Sequence, residues 1–164
     1  MLYNFNADEV FQMAIMIEEN GKIFYEKAQD KIDNPEVKEM FESLAQAEIQ
    51  HRECFMALKK KLPPSAQEET VWDPDNEINQ YLNMMAGMHV FRPDDDVEGQ
   101  LGEVKDVEDA LKLAIQFEKE SIVFFLTIKE NTEETQGRDM VDQIIKEELG
   151  HHKALSLELI KLKK

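Results

Sequence analysis

The chain has 164 residues, 42% of them hydrophobic and 33% charged, with only 6 Gly and 5 Pro. That is the size and balance of one helical domain over 1–164, too apolar for a disordered chain. A formal charge of −16 repels phosphate backbones and anionic headgroups, which excludes nucleic acid and membrane surfaces as partners. No apolar run approaches the ~20 residues of a membrane span. The N-terminus lacks a basic stretch followed by an apolar one, so the expected location is the cytoplasm. The single cysteine, Cys54, excludes an internal disulfide and a cysteine metal cage, and reads as a small buried hydrophobe.

Four stretches carry helical periodicity. The first runs over about 7–32, with Asn6 as N-cap and Glu9 three residues on. The second, about 35–62, follows Asn34-Pro35, a cap with proline in the first helical position, and Pro63-Pro64 stops it. A crossover over 63–106 comes next. Asp73-Pro74 is expected to open a short extra helix there, with Ile78, Tyr81, Leu82 and Met85 on its apolar side, and Asp94-Asp95-Asp96, Gly99 and Gly102 read as exposed loop. The third long helix occupies about 107–130 and the fourth about 137–162, the latter ending in basic Lys161, Lys163 and Lys164. Short turns inside each pair and a long connection between pairs predict an all-α four-helix bundle, two antiparallel hairpins joined by the crossover.

The two hairpins repeat at an offset of one hundred residues. Ala14-Ile15-Met16-Ile17-Glu18 aligns with Ala114-Ile115-Gln116-Phe117-Glu118, and Phe24-Tyr25 with Phe124-Phe125. Met40, Glu48 and His51 align with Met140, Glu148 and His151. In the second helix the apolar seam reads Val37, Phe41, Leu44, Glu48, His51, Phe55, Leu58, Leu62, and in the fourth Val141, Ile144, Glu148, His151, Leu155. The first and third give Phe11, Ala14, Glu18, Gly21, Tyr25 and Leu111, Ala114, Glu118, Ser121, Phe125. Four carboxylates therefore point inward at one level.

Each ionised carboxylate taken from water costs several kcal/mol unless paired, and four together repel one another. No lysine or arginine stands at these seam levels, so a positive charge must come from outside the sequence. Two divalent cations balance four carboxylates and leave His51 and His151 as neutral ligands. Carboxylate oxygens with one imidazole per metal suit iron or manganese, and zinc accepts the same set. Glu-x-x-His puts both side chains on one helix face. Ala14, Gly21, Ala114 and Ser121 are expected to leave room beside the metals for oxygen or peroxide. Tyr25, two turns after Glu18, needs a partner for its buried hydroxyl and is expected to hydrogen-bond a ligand carboxylate; its mate is Phe125. Elsewhere the plainer reading is taken: His152 at the surface, His89 structural, Glu19, Glu120 and Glu147 a solvated face, and the nine methionines core filler.

These residues resemble the ferritin-like diiron-carboxylate proteins, and within them the rubrerythrins. One Glu from each of two helices plus Glu-x-x-His from each of the others is that class's pattern. The resemblance implies terminal carboxylates at Glu18 and Glu118, a bridging pair at Glu48 and Glu148, and terminal imidazoles at His51 and His151, around two ions, iron before manganese or zinc. It implies a non-haem dinuclear oxidoreductase reducing peroxide or oxygen. The alternatives are a ferroxidase or iron-handling protein, or a non-catalytic metal-binding structural protein. Rubrerythrins proper carry a four-cysteine iron domain, which Cys54 alone cannot build, so electrons are expected from an external donor such as a rubredoxin-like protein. They also place a glutamate one turn after the third-helix ligand, where this chain has Ser121. Phe24 and Phe124, read as extra apolar residues on outer faces, suggest a homodimer.

Overall fold

The computed structural model describes residues 7–64, 77–91, 97–132, 134 and 137–164. Four long helices dominate: α1 (Ala7–Ala28), α2 (Pro35–Lys60), then, beyond two short crossover helices α3 (Glu77–Met88) and α4 (Val97–Leu101), α5 (Val107–Glu130) and α6 (Arg138–Leu162). The chain is all-α among these residues, as the periodicity predicts. None of the helices is long and apolar enough to cross a membrane.

The ends follow local chemistry. α1 gives way after Ala28 to a 3₁₀ turn over Gln29–Lys31, so the expected continuation to 32 is a tightened last turn. The Asn34 side chain accepts from the Val37 N–H at 3.1 Å, with Pro35 opening α2. Asp106 caps α5 in the same way, accepting from the Asp109 N–H at 2.9 Å. α6 instead starts at Gly137, in the left-handed region at φ 96° and without a side-chain cap. Glycine is required there twice over, since a Cβ would also fall 2.2 Å from Leu58 Cδ2.

α1 pairs with α2 and α5 with α6, and the crossover helices lie against α1 and α5. Leu82, Ala86 and Phe91 are buried beneath the crossover, whereas Tyr81, expected on the apolar side, is 44% exposed. The stretch around Gly99, expected to be loop, forms the single turn of α4: Val97 and Leu101, four residues apart, bury themselves on one side and leave Gly99 outside. Lys27 of α1 pairs with Glu98, and the Val90 N–H donates to Glu120 Oε2 at 2.6 Å. Asn6, Asp73-Pro74 and Asp94-Asp95-Asp96 lie outside the described residues.

The seam residues enter the core as the spacing requires; of those named above, only Leu62 and His151 are partly exposed. Two aromatic layers bracket the polar level. One contains Phe24, Tyr25, Phe41, Phe91 and Phe117, with Phe24 and Phe91 centroids 4.9 Å apart. The other contains Phe11, Phe55, Phe124 and Phe125, with Phe55 and Phe125 also 4.9 Å apart. Phe24 and Phe124 thus belong to the interior, not to an outer face. Met56, Met84 and Met88 correct the core-filler reading: each is more than half exposed.

Candidate metal centre

Four long helices each deliver one glutamate to the same level. Glu18 from α1, Glu48 from α2, Glu118 from α5 and Glu148 from α6 are all fully buried, with His51 and His151 beside them. Potential ligand atoms of Glu18, Glu48, His51 and Glu148 lie within 4.8 Å of one another, and so do those of Glu48, Glu118, Glu148 and His151. Glu48 and Glu148 belong to both sets. All six sequence-predicted residues therefore meet in one place.

Six of the eight carboxylate oxygens make no hydrogen bond: both of Glu18, both of Glu48, Oε2 of Glu118 and Oε1 of Glu148. Buried polar atoms left in this state are costly, and their convergence on one point is a donor set fitted to cations. His51 Nδ1 lies 2.9 Å from Glu148 Oε1 and 3.7 Å from Glu18 Oε2. His151 Nδ1 lies 3.1 Å from Glu148 Oε2 and 3.7 Å from Glu118 Oε2. Both rings present Nδ1 to the carboxylates and stack on each other at 5.8 Å.

Burial pushes the Glu18, Glu48 and Glu118 carboxyls well above the usual range, and repulsion from neighbouring carboxylates adds to it. Glu148 goes the other way: burial opposes its charge, but the proximity of Glu118 and both histidines holds it below the ordinary value. Burial likewise opposes charging of the histidines, yet their carboxylate neighbours raise His51 and His151 to about 9.

Around this cluster stand the residues that hold it. The Tyr25 hydroxyl donates to Glu118 Oε1 at 2.5 Å, from α1 across to α5, the ligand-carboxylate bond its seam position predicts. Glu147, read from sequence as solvated face, places Oε2 3.0 Å from His51 Nε2 while Gln143 donates to its other oxygen. The signal that could have found it is a mismatch in the repeat, where Ala47 stands opposite Glu147. Glu19 pairs with Arg52 and Lys22, and Glu120 receives the Val90 and Gln116 N–H groups, so both tie elements together as well as facing water.

His89 is structural as expected, and specifically so. Its Nδ1 accepts the Phe91 N–H at 3.1 Å, which leaves the proton on Nε2 to be donated to Ser121 Oγ at 3.2 Å. Burial lowers it to about 4, a neutral ring. The space expected beside the metals at Gly21 is taken, because the Phe117 ring fills it; a Cβ on Gly21 would sit 2.3 Å from Phe117 Cζ. A cavity of about 180 Å³ instead reaches His51 from the α2–α6 side, lined among others by Gln50, Cys54, Gln143 and Glu147. Cys54 is half-buried there.

Four long helices with a carboxylate–histidine cluster at one level define a ferritin-like bundle with a candidate dinuclear centre. The family model for rubrerythrin matches residues 9–159, and the chain belongs to the rubrerythrin family. Its fold is similar to a crystal structure from Thermotoga maritima described as a ferritin-like diiron-carboxylate protein, with a TM-score of 0.74, 23% identity and 100% of each chain covered. A comparison with curated proteins finds no match.

Proposed function

We propose that this protein is a non-haem diiron oxidoreductase that reduces peroxide or oxygen with electrons from an external donor. Glu18 and Glu118 serve as terminal carboxylates, Glu48 and Glu148 as the bridging pair, and His51 and His151 as terminal imidazoles. The observation that carries the proposal is the group of buried carboxylate oxygens without hydrogen bonds, two of whose residues are common to both candidate sets. Iron is preferred to manganese or zinc because the family and the mixed oxygen and imidazole donors favour it. Bound iron supplies the electrons that cleavage of an oxygen–oxygen bond consumes.

The remaining work falls to the chain. Tyr25 orients Glu118, Glu147 orients His51, and the aromatic layers keep water from both ends of the cluster. Reducing equivalents come from a rubredoxin-like donor. Anaerobic addition of one equivalent of peroxide to the ferrous protein tests this. A prompt rise in near-ultraviolet absorption, reversed by reduced rubredoxin, is expected; an unchanged spectrum overturns the proposal in favour of a structural metal. A ferroxidase would use the same residues, and the charge of −16, which draws cations to the surface, favours that second reading. Repeated oxidation of added ferrous iron without any donor would select it.

A further inference from the structure

The two halves of the centre are unequal in chemistry. His51 is held at Nε2 by Glu147, 3.0 Å away, while its Nδ1 faces the cluster 2.9 Å from Glu148 Oε1, and the residue is 2% exposed. A carboxylate at Nε2 fixes the proton there, turns the Nδ1 lone pair toward the cluster and strengthens it as a donor. His151 receives no such carboxylate from α2, where Ala47 stands at the matching position, and its side chain is 20% exposed. A second inequality acts in the same direction. The Tyr25 hydroxyl draws charge from Glu118, while its mate Phe125 has no hydroxyl to offer Glu18, both of whose oxygens stay without a donor.

We infer that the half bounded by Glu18, Glu48 and His51 takes up the first metal and keeps it more tightly, and that the half bounded by Glu118 and His151 holds the exchangeable one. The inference rests on the proposed ligand set. It makes Glu147 a positioning residue that acts through His51. Loss of such an outer carboxylate costs about 10–100-fold in metal affinity.

The test is a titration of metal-free protein with zinc, followed by NMR of the imidazole nitrogens. At one equivalent the His51 resonances should reach their bound positions while those of His151 remain largely in place. Glu147→Ala should weaken the first zinc step by about 10–100-fold and leave the second within about twofold. Ala47→Glu should tighten the second step. The inference is overturned if both rings shift together, if His151 shifts first, or if Glu147→Ala leaves the first step unchanged or weakens both steps alike. Failure of the unaltered protein to bind two equivalents would overturn the proposed function along with it, whereas equal filling of two sites overturns this inference alone.

Discussion

The hairpin of α1 and α2 and the hairpin of α5 and α6 share a seam and the same Glu, Glu and His positions, yet they differ at several residues beside those positions. Gly21 faces Phe117, whose ring occupies the room a side chain would need; at the mates of these positions the smaller residue is Ser121 and the larger Ile17, so the small member is larger there and the large one smaller. Tyr25 bonds Glu118 and Phe125 bonds nothing; Glu147 braces His51 where Ala47 cannot brace His151. The two hairpins thus bring the same Glu/His set to one level while the residues that support it differ. The identical part follows from charge, because under the proposed function the loss of any carboxylate would unbalance two cations. The differing part follows from packing, which constrains a sum across the interface and not each side alone.

The most severe test of the comparison is removal of one shared carboxylate from each half. Glu48→Ala and Glu148→Ala should both abolish uptake of two metals, measured by metal analysis after dialysis; a variant retaining two ions would break the equivalence of the bridging pair. Next comes pH. In the metal-free protein the histidines bind protons more tightly folded than unfolded, so their stabilisation is complete below about pH 6.5 and is lost as pH rises through about 9. The raised carboxyls of Glu18, Glu48 and Glu118 act in the same sense, fully present only below the ordinary glutamate range, while Glu148 opposes them only in acid. Thermal unfolding of metal-free protein should therefore move to lower temperature from pH 6.5 to 9, and the metal-loaded protein should show no such decline.

A smaller effect is expected where Gly21 meets Phe117. Gly21→Ala should destabilise by about 1–3 kcal/mol in denaturant unfolding, as overpacking against Phe117 does. Ser121→Gly meets no such clash, and its cost of about 1–3 kcal/mol comes instead from leaving the buried His89 N–H without its acceptor, so Phe117→Leu should relieve Gly21→Ala and leave the cost of Ser121→Gly unchanged. The least is expected at the second-helix starts. Asn34→Ala should cost about 1 kcal/mol through loss of its cap to Val37, and α6, which has no side-chain cap, offers no equivalent residue to remove.

The sequence made the long helices and the inward carboxylates legible for one physical reason: a charged residue in an otherwise apolar seam is expensive enough to stand out. Asn34-Pro35 marked a helix start because its chemistry is local. Glu147 escaped because an exposed carboxylate beside the cluster looks like any solvated neighbour, and only its mismatch with Ala47 in the repeat hints at the contact with His51. α4 escaped because two buried residues, Val97 and Leu101, are too few to make a period. The bond from His89 to Ser121 joins residues 32 apart, one of them in the crossover outside the repeat, so no spacing encodes it.

The bond from Tyr25 to Glu118 has a mechanical consequence. Apolar seams of repeating period accept a slide of one hairpin along the other by a helical turn, about 5.4 Å, with a similar set of contacts on arrival. A hydroxyl 2.5 Å from a buried carboxylate oxygen tolerates no such displacement. It sets the vertical alignment of the hairpins as a dowel does, holding the two carboxylate pairs level before any ion arrives.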